Sequence, residues 1–139
     1  MILLMAMLLL MAEGDPVKHF PAKDVEAAAA KLVAATLDKG EKYTVMVNRR
    51  KEAGQSEVHA VDTDVFYVMD GAATFTTGGA IVGGKTTAPG EIRGAGIQGG
   101  TRRRISKGDI LTIPFGTPHW FSEVHGTVTY LIVKIANGK

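Results

Sequence analysis

The chain has 139 residues, a formal net charge of +2, 45% apolar and 22% charged residues, and no cysteine. That length makes one domain, able to bury about two-thirds of the surface its unfolded chain exposes, and the composition excludes a disordered or fibrous protein. The small charge gives no reason to expect a nucleic-acid partner, and without thiols only His, Asp and Glu remain as metal ligands.

The first feature along the chain is an unbroken apolar run from Ile2 to Ala12, followed at once by Glu13-Gly14-Asp15-Pro16. It is too short for a bilayer core, which needs about twenty residues, so no stable membrane span is expected. Its length suits the apolar core of a secretory signal, with the small Ala12 before a polar stretch. No Lys or Arg precedes the run, and Leu10 stands where a small residue would suit a signal peptidase better. Residues 1–12 are therefore read as a signal peptide of an exported protein, periplasmic or secreted. The alternative is an apolar segment packing on a cytoplasmic domain.

Residues 13–40 read as a linker and one amphipathic helix. After Pro16 and Pro21, Val25, Ala28, Ala29, Leu32 and Ala35 recur at helical spacing, which predicts a helix over Ala22 to Asp38. Asp24 and Glu26 suit its first turn, Lys39 its end, and Gly40 a left-handed cap. Residues 41–139 change character and read as short strands divided by Gly, Pro or Asp/Asn. The predicted strands are Tyr43 to Asn48, Glu57 to Val61, Val65 to Met69, Ala72 to Thr77, Arg102 to Ile105, Ile110 to Ile113, Trp120 to Glu123 and Thr127 to Ile135. Strand follows strand without helices between, which predicts an all-β antiparallel sandwich or barrel, the jelly roll among them. Ten of the seventeen glycines fall between Gly71 and Gly100. No helix pattern follows them, so they suit tight turns rather than a phosphate cradle. They read as an insertion beside a pocket, or as a simple hairpin extension.

Two segments carry the most specific signal. Gly108 to His119 fits Gly-x5-Pro-x-Gly-x2-His through Gly108, Pro114, Gly116 and His119. Upstream, Glu57, His59, Asp64 and Gly71 keep the spacing of His-x-His-x4-Glu-x6-Gly, with Glu57 in place of the first His and Asp64 in place of the Glu. From about Tyr43 to Ile135 the chain thus resembles a single-domain cupin with a degenerate first motif. The resemblance implies a double-stranded β-helix, a jelly-roll barrel, preceded here by one amphipathic helix.

On a strand Glu57 and His59 share a face, with Cα atoms about 6.5 Å apart. In the cupin arrangement the four positions Glu57, His59, Asp64 and His119 meet inside the barrel and coordinate a divalent metal, Fe, Mn, Ni or Zn. Two imidazoles and one carboxylate suit Fe(II) with open positions. Glu57 would be a fourth ligand or a general base, and a second carboxylate would make the ion a weaker Lewis acid. Asp64, shorter than Glu by a methylene, must approach the ion more closely. Phe66 shares the parity of Asp64 and Phe121 that of His119, so both are candidate pocket walls or simple core residues. Arg93 and Arg103 are candidates to reach a substrate anion.

The remaining polar features read as structural. His19 lies in the linker and His125 precedes Gly126 in a predicted hairpin turn. Alternation splits Arg102-Arg103-Arg104 between two faces, a solvated edge rather than one basic patch. The resemblance implies a metal-dependent enzyme of dioxygenase or isomerase type acting on a small polar molecule. Its rivals are a non-catalytic small-ligand-binding module and a metal-free structural cupin. It also implies a homodimer joined through sheet edges or faces, with the apolar strand Thr127 to Ile135 as a surface to bury.

Overall fold

The computed structural model describes residues 14–137. The segment read as a signal, residues 1–12, lies outside the described residues. Among the described residues no helix is long and apolar enough to cross a membrane.

The described chain opens with one helix, α1 (Ala22–Ala29), whose Pro21 carbonyl accepts from the Asp24 and Val25 amides. Asp24 sits in the first turn, where a negative charge meets the positive end of the helix dipole. The helix was expected to continue to Asp38 and ends at Ala29 instead. Leu32 turns the chain away with φ 57°, and Ala35–Lys39 becomes strand β1, paired with β2 (Tyr43–Arg50). The periodic alanines permit a helix, but a ladder of backbone bonds to β2 overrides that weak preference. Gly40, expected as a helix cap, donates its amide to the Tyr43 carbonyl at 2.9 Å and closes the β1–β2 turn.

The strands that follow are β3 (Ser56–His59), β4 (Asp62–Thr77), β5 (Ala80–Val82), β6 (Lys85–Ala88), β7 (Glu91–Gly94), β8 (Gly96–Gln98), β9 (Thr101–Ser106), β10 (Ile110–Ile113) and β11 (His119–Ala136). Two pairs of predicted strands have fused. Val65 to Met69 joins Ala72 to Thr77 in β4, and Trp120 to Glu123 joins Thr127 to Ile135 in β11. These long strands pair antiparallel from His119 opposite Thr77 to Ala136 opposite Asp62. β9 and β10 hold the other edge of β4, while β2 and β3 hold the other edge of β11. β7 borders β3, β6 borders β7, and β5 pairs with β8 in a small separate sheet. The glycine-rich segment is therefore a set of short hairpins, one of which widens the sheet beside β3.

Continuous ladders can bend only where the register slips. Gly71 takes φ 76°, and the β4–β11 register shifts between Val124 and Val128. The slip changes which parity faces inward: Asp64, Phe66 and Val68 are buried before it, Ala73 and Phe75 after it. Thr127 to Ile135, expected as a surface to bury in a dimer, lies between β2 and β4 and turns one face, Val128, Tyr130 and Ile132, into the core. Phe66, Phe75, Phe121 and Tyr130 form its aromatic centre, with Phe121 rings 4.8 Å from Phe75 and 4.7 Å from Tyr130.

Gly71 is required twice over. Its positive φ strains any other residue, and a Cβ there would collide with the Thr127 carbonyl oxygen of the paired strand. Gly71→Ala should therefore lower stability by about 2 kcal/mol or more, from backbone strain and a displaced ladder. Urea denaturation measures this, and a change within about 0.5 kcal/mol, the ordinary range for a surface substitution, would contradict it.

Candidate metal centre

Each site residue is delivered by a strand register. On β3, Glu57 and His59 face one way, with Glu57 directly opposite His119 of β11. On the other edge of β3, Arg93 is opposite Glu57 and Glu91 is opposite His59. On β4, Asp64 is opposite Lys134 of β11. The turn from Pro114 to Pro118 is held on the same strand, because the Gly116 amide donates to the His59 carbonyl at 2.7 Å. His119 is thereby brought against His59, with ring centroids 5.0 Å apart.

The two imidazoles are oriented from outside. His59 Nδ1–H donates to Glu91 Oε2 at 2.6 Å, and His119 Nδ1–H donates to the Thr117 carbonyl at 3.0 Å. Both Nε2 atoms then face inward, each 3.5 Å from Glu57 Oε2. Glu57 gives its other oxygen, Oε1, to the Arg93 guanidinium. Donor atoms of Glu57, His59 and His119 lie within 4.8 Å of one another, a candidate metal site. His119 Nε2 is buried and makes no hydrogen bond among the described residues, its 3.5 Å contact with Glu57 Oε2 falling outside hydrogen-bond geometry.

Asp64 stands beside this cluster. One oxygen lies 3.4 Å from His59 Nε2, but both oxygens are taken by Lys134 Nζ, at 2.9 and 3.2 Å. Arg93 lines the pocket yet spends its charge on Glu57. Phe66 and Phe121 line the pocket and belong to the core as well. The pocket encloses about 170 Å³, walled on its apolar side by Met46, Phe66, Trp120, Phe121 and Ile132.

Charges converge here strongly enough to reset ionisation. Burial disfavours the Glu57 carboxylate, but the His119 and His59 imidazoles and the Arg93 guanidinium outweigh it and hold the group far below the usual carboxylate range. Burial likewise opposes a charged His59, yet hydrogen bonding to Asp64 and Glu57 prevails and pushes it up to about 10. Asp64 is lowered, against burial, by His59 and Lys134.

The other polar features stay outside the pocket. Arg102, Arg103 and Arg104 are exposed on β9, where Arg102 pairs with Glu123 at 2.6 Å and Arg103 donates to Thr77 Oγ1 at 3.0 Å. His125 was expected in a hairpin turn; it lies within β11 at the register slip, with Nε2 3.0 Å from Thr74 Oγ1. His19 is exposed in the linker.

Sequence reasoning missed Glu91, Asn48, Arg50, Tyr130 and Lys134. A signal existed for Lys134, which shares the parity of the apolar Tyr130 and Ile132 and so brings a charge onto an inward face. None existed for Glu91, whose relation to His59 depends on the pairing of β3 with β7.

No protein-family model matches the chain, and no curated protein matches it in sequence. Solved structures do resemble it. Hydroquinone 1,2-dioxygenase from Sphingomonas sp. TTNP3, with 4-hydroxybenzoate bound, superposes with a TM-score of 0.62 at 18% identity, over 82% of this chain and 73% of that one. The cupin domain of Schizosaccharomyces pombe Cnp3 gives 0.55 at 13% identity, over 74% and 59%. A conserved Klebsiella pneumoniae protein with a double-stranded β-helix domain gives 0.55 at 15% identity, over 76% and 77%. This is an all-β protein of the double-stranded β-helix class. Its fold is the one these structures share, the cupin barrel.

The ionisation pattern has a consequence for stability. His59 binds its proton more tightly when folded, with an affinity near pH 10 against an ordinary value of 6.5. Its contribution is complete below pH 6.5 and is lost as pH rises toward 10. The melting temperature of chelator-treated protein should fall over that interval, and the fall should shrink in His59→Gln. An equally steep fall in His59→Gln would contradict this.

Proposed function

We propose that this chain is a metal-dependent enzyme of the dioxygenase or isomerase type, acting on a small polar molecule. Glu57, His59 and His119 would hold the divalent ion, Fe, Mn, Ni or Zn, with Asp64 beside them. The observation that carries this reading is the buried, unpartnered His119 Nε2 facing a second imidazole nitrogen and a carboxylate oxygen. An unsatisfied buried ring nitrogen costs about 1–3 kcal/mol, and a bound cation removes that cost. The donor chemistry fits a divalent ion of the first transition row.

When bound, such an ion supplies Lewis-acid polarisation of a substrate oxygen, and oxygen chemistry as well if it is Fe(II). The chain supplies the rest. Glu91 and the Thr117 carbonyl fix the imidazole tautomers, while Arg93 clamps one oxygen of Glu57 and leaves the other inward. With one oxygen on Arg93 and the other facing both imidazole nitrogens, the geometry favours Glu57 as ligand over Glu57 as general base. Phe66, Trp120 and Phe121 supply an apolar wall beside the cluster.

A second reading, a metal-free pocket that binds a small ligand without turnover, draws on the ion pairs. Arg93 on Glu57 and Lys134 on Asp64 already balance both carboxylates.

Metal analysis of protein purified without an affinity tag separates the two. Stoichiometric ion is expected, lost in His59→Ala and His119→Ala, with Glu91→Gln binding it about 10–100-fold more weakly. Absence of ion from every preparation would leave the metal-free reading. Turnover on a panel of sugars and organic acids, with and without oxygen, then distinguishes enzyme from binder.

A further inference from the structure

The pocket wall carries one cation without a counter-charge. Arg93 is paired with Glu57 and Lys134 with Asp64, but Arg50, on the same wall, has no carboxylate partner among the described residues. Its guanidinium is nevertheless held in place. Nε donates to the Tyr130 hydroxyl oxygen at 2.9 Å, and the carbon at its centre lies 5.2 Å over the Phe121 ring. Gly54 makes room for it, since a Cβ there would collide with Nη1, and Trp120 Nε1–H pins that loop by donating to the Gly54 carbonyl at 2.7 Å.

Asn48, two residues away on β2, donates its Nδ2 to the same Tyr130 oxygen at 3.0 Å. Both lone pairs of the phenol are then engaged as acceptors, and its own proton is left to donate. Arg50 likewise spends only Nε within the described protein, which leaves the forked edge of the guanidinium for an acceptor with two oxygens. A divalent ion at the neighbouring cluster would add positive charge to this wall and raise its demand for an anion.

We propose that Arg50, aided by the Tyr130 hydroxyl, is the anchor for the carboxylate of a small organic acid, the substrate class of this pocket. The assignment deepens the reading of the pocket as a ligand site and names what it takes. Volume limits the rest of the molecule. The pocket has a volume of about 170 Å³, and a cavity of about 150 Å³ accepts benzene, so the part of the acid lodged inside it is one ring or a short carbon chain. Phe66, Phe121 and Ile132 would pack against that body while Arg50 fixes the charged end.

The test compares acids with their uncharged amides: benzoate with benzamide, butyrate with butyramide, and 2-hydroxybutyrate with its amide. Binding is followed by calorimetry and by emission from Trp120, the chain's single tryptophan and part of the pocket wall. At least one acid should bind about tenfold or more tightly than its amide, a preference abolished by Arg50→Gln. Gly54→Ala, which keeps every charge but crowds the guanidinium, should weaken the acid and spare the amide. Unchanged melting temperatures in both variants show that the fold survives, and where Arg50→Gln lowers melting, Gly54→Ala carries the decision.

The proposal is overturned if no acid exceeds its amide, or if the preference survives in the deciding variant. Metal content measured on the same preparations keeps the two readings apart. Acid selectivity that depends on Arg50 in metal-free protein would refute the metal centre alone, whereas bound metal without that selectivity would refute the anchor alone.

Discussion

The site depends on how β3 is seated between β7 and β11. This four-residue strand places Glu57 opposite Arg93 on one side and His119 on the other, and His59 opposite Glu91. The contacts of Glu57 with Arg93 and of His59 with Glu91 are thus cross-strand pairs, fixed by the same backbone bonds that hold the sheet together. Because side chains alternate, a slip of one residue in β3 would turn Glu57 and His59 outward and bring Val58 in. The slip is opposed by two hydrogen bonds at the His59 end of the strand. The Ala60 amide donates to Gly90 at 2.8 Å, and the Gly116 amide donates to His59 at 2.7 Å.

That seat rests in turn on the long β4–β11 ladder. A single straight pair of strands would present one parity to the interior throughout, and Asp64 and Phe75 could not both point inward. The slip at Gly71 and Val124–Val128 resolves this, with Asp64 and Phe66 before it and Phe75 after it converging on one core. Aromatic rings from both halves then pack against His119, Phe75 at 6.1 Å and Phe66 at 6.5 Å from its ring. That packing, with the hydrogen bonds of His59 to Glu91 and of His119 to the Thr117 carbonyl, restrains both rings, as the proposed metal site would require.

Legibility in the sequence followed the range of the interaction. The turn from Pro114 to Pro118 and the strand after it were readable because Gly, Pro and β-formers act locally, and Ile110 to Ile113 appears as a strand with the bounds expected. The helix stops short of the expected Asp38 because the spacing of Leu32 and Ala35 is compatible with either state until β2 is present to pair with Ala35–Lys39. The four motif positions were found through their spacing. Their partners were not, since Glu57 meets Arg93, His59 meets Glu91 and Asp64 meets Lys134 across registers that no local pattern specifies. Only Lys134 announced itself, as a charge on the inward face of an apolar strand.

The two substituted motif positions, alike in sequence as carboxylates, are not equivalent in space. Glu57 has one oxygen bound by Arg93 and the other facing both imidazole nitrogens, so its ion pair aims the group without consuming it. Asp64 has both oxygens on Lys134 Nζ, and its remaining contact is with His59. A cation arriving at the cluster meets one carboxylate oxygen already turned toward it and another that must first leave an ammonium. Recruiting Asp64 would also strip Lys134 of its counter-charge inside the pocket, at the desolvation cost that makes unpaired buried ions rare. The Asp64–Lys134 pair therefore works as a unit, lending His59 a negative neighbour while adding no net charge to the wall. A divalent ion held here as proposed would therefore draw on two imidazoles and one carboxylate, Glu57, rather than on Asp64.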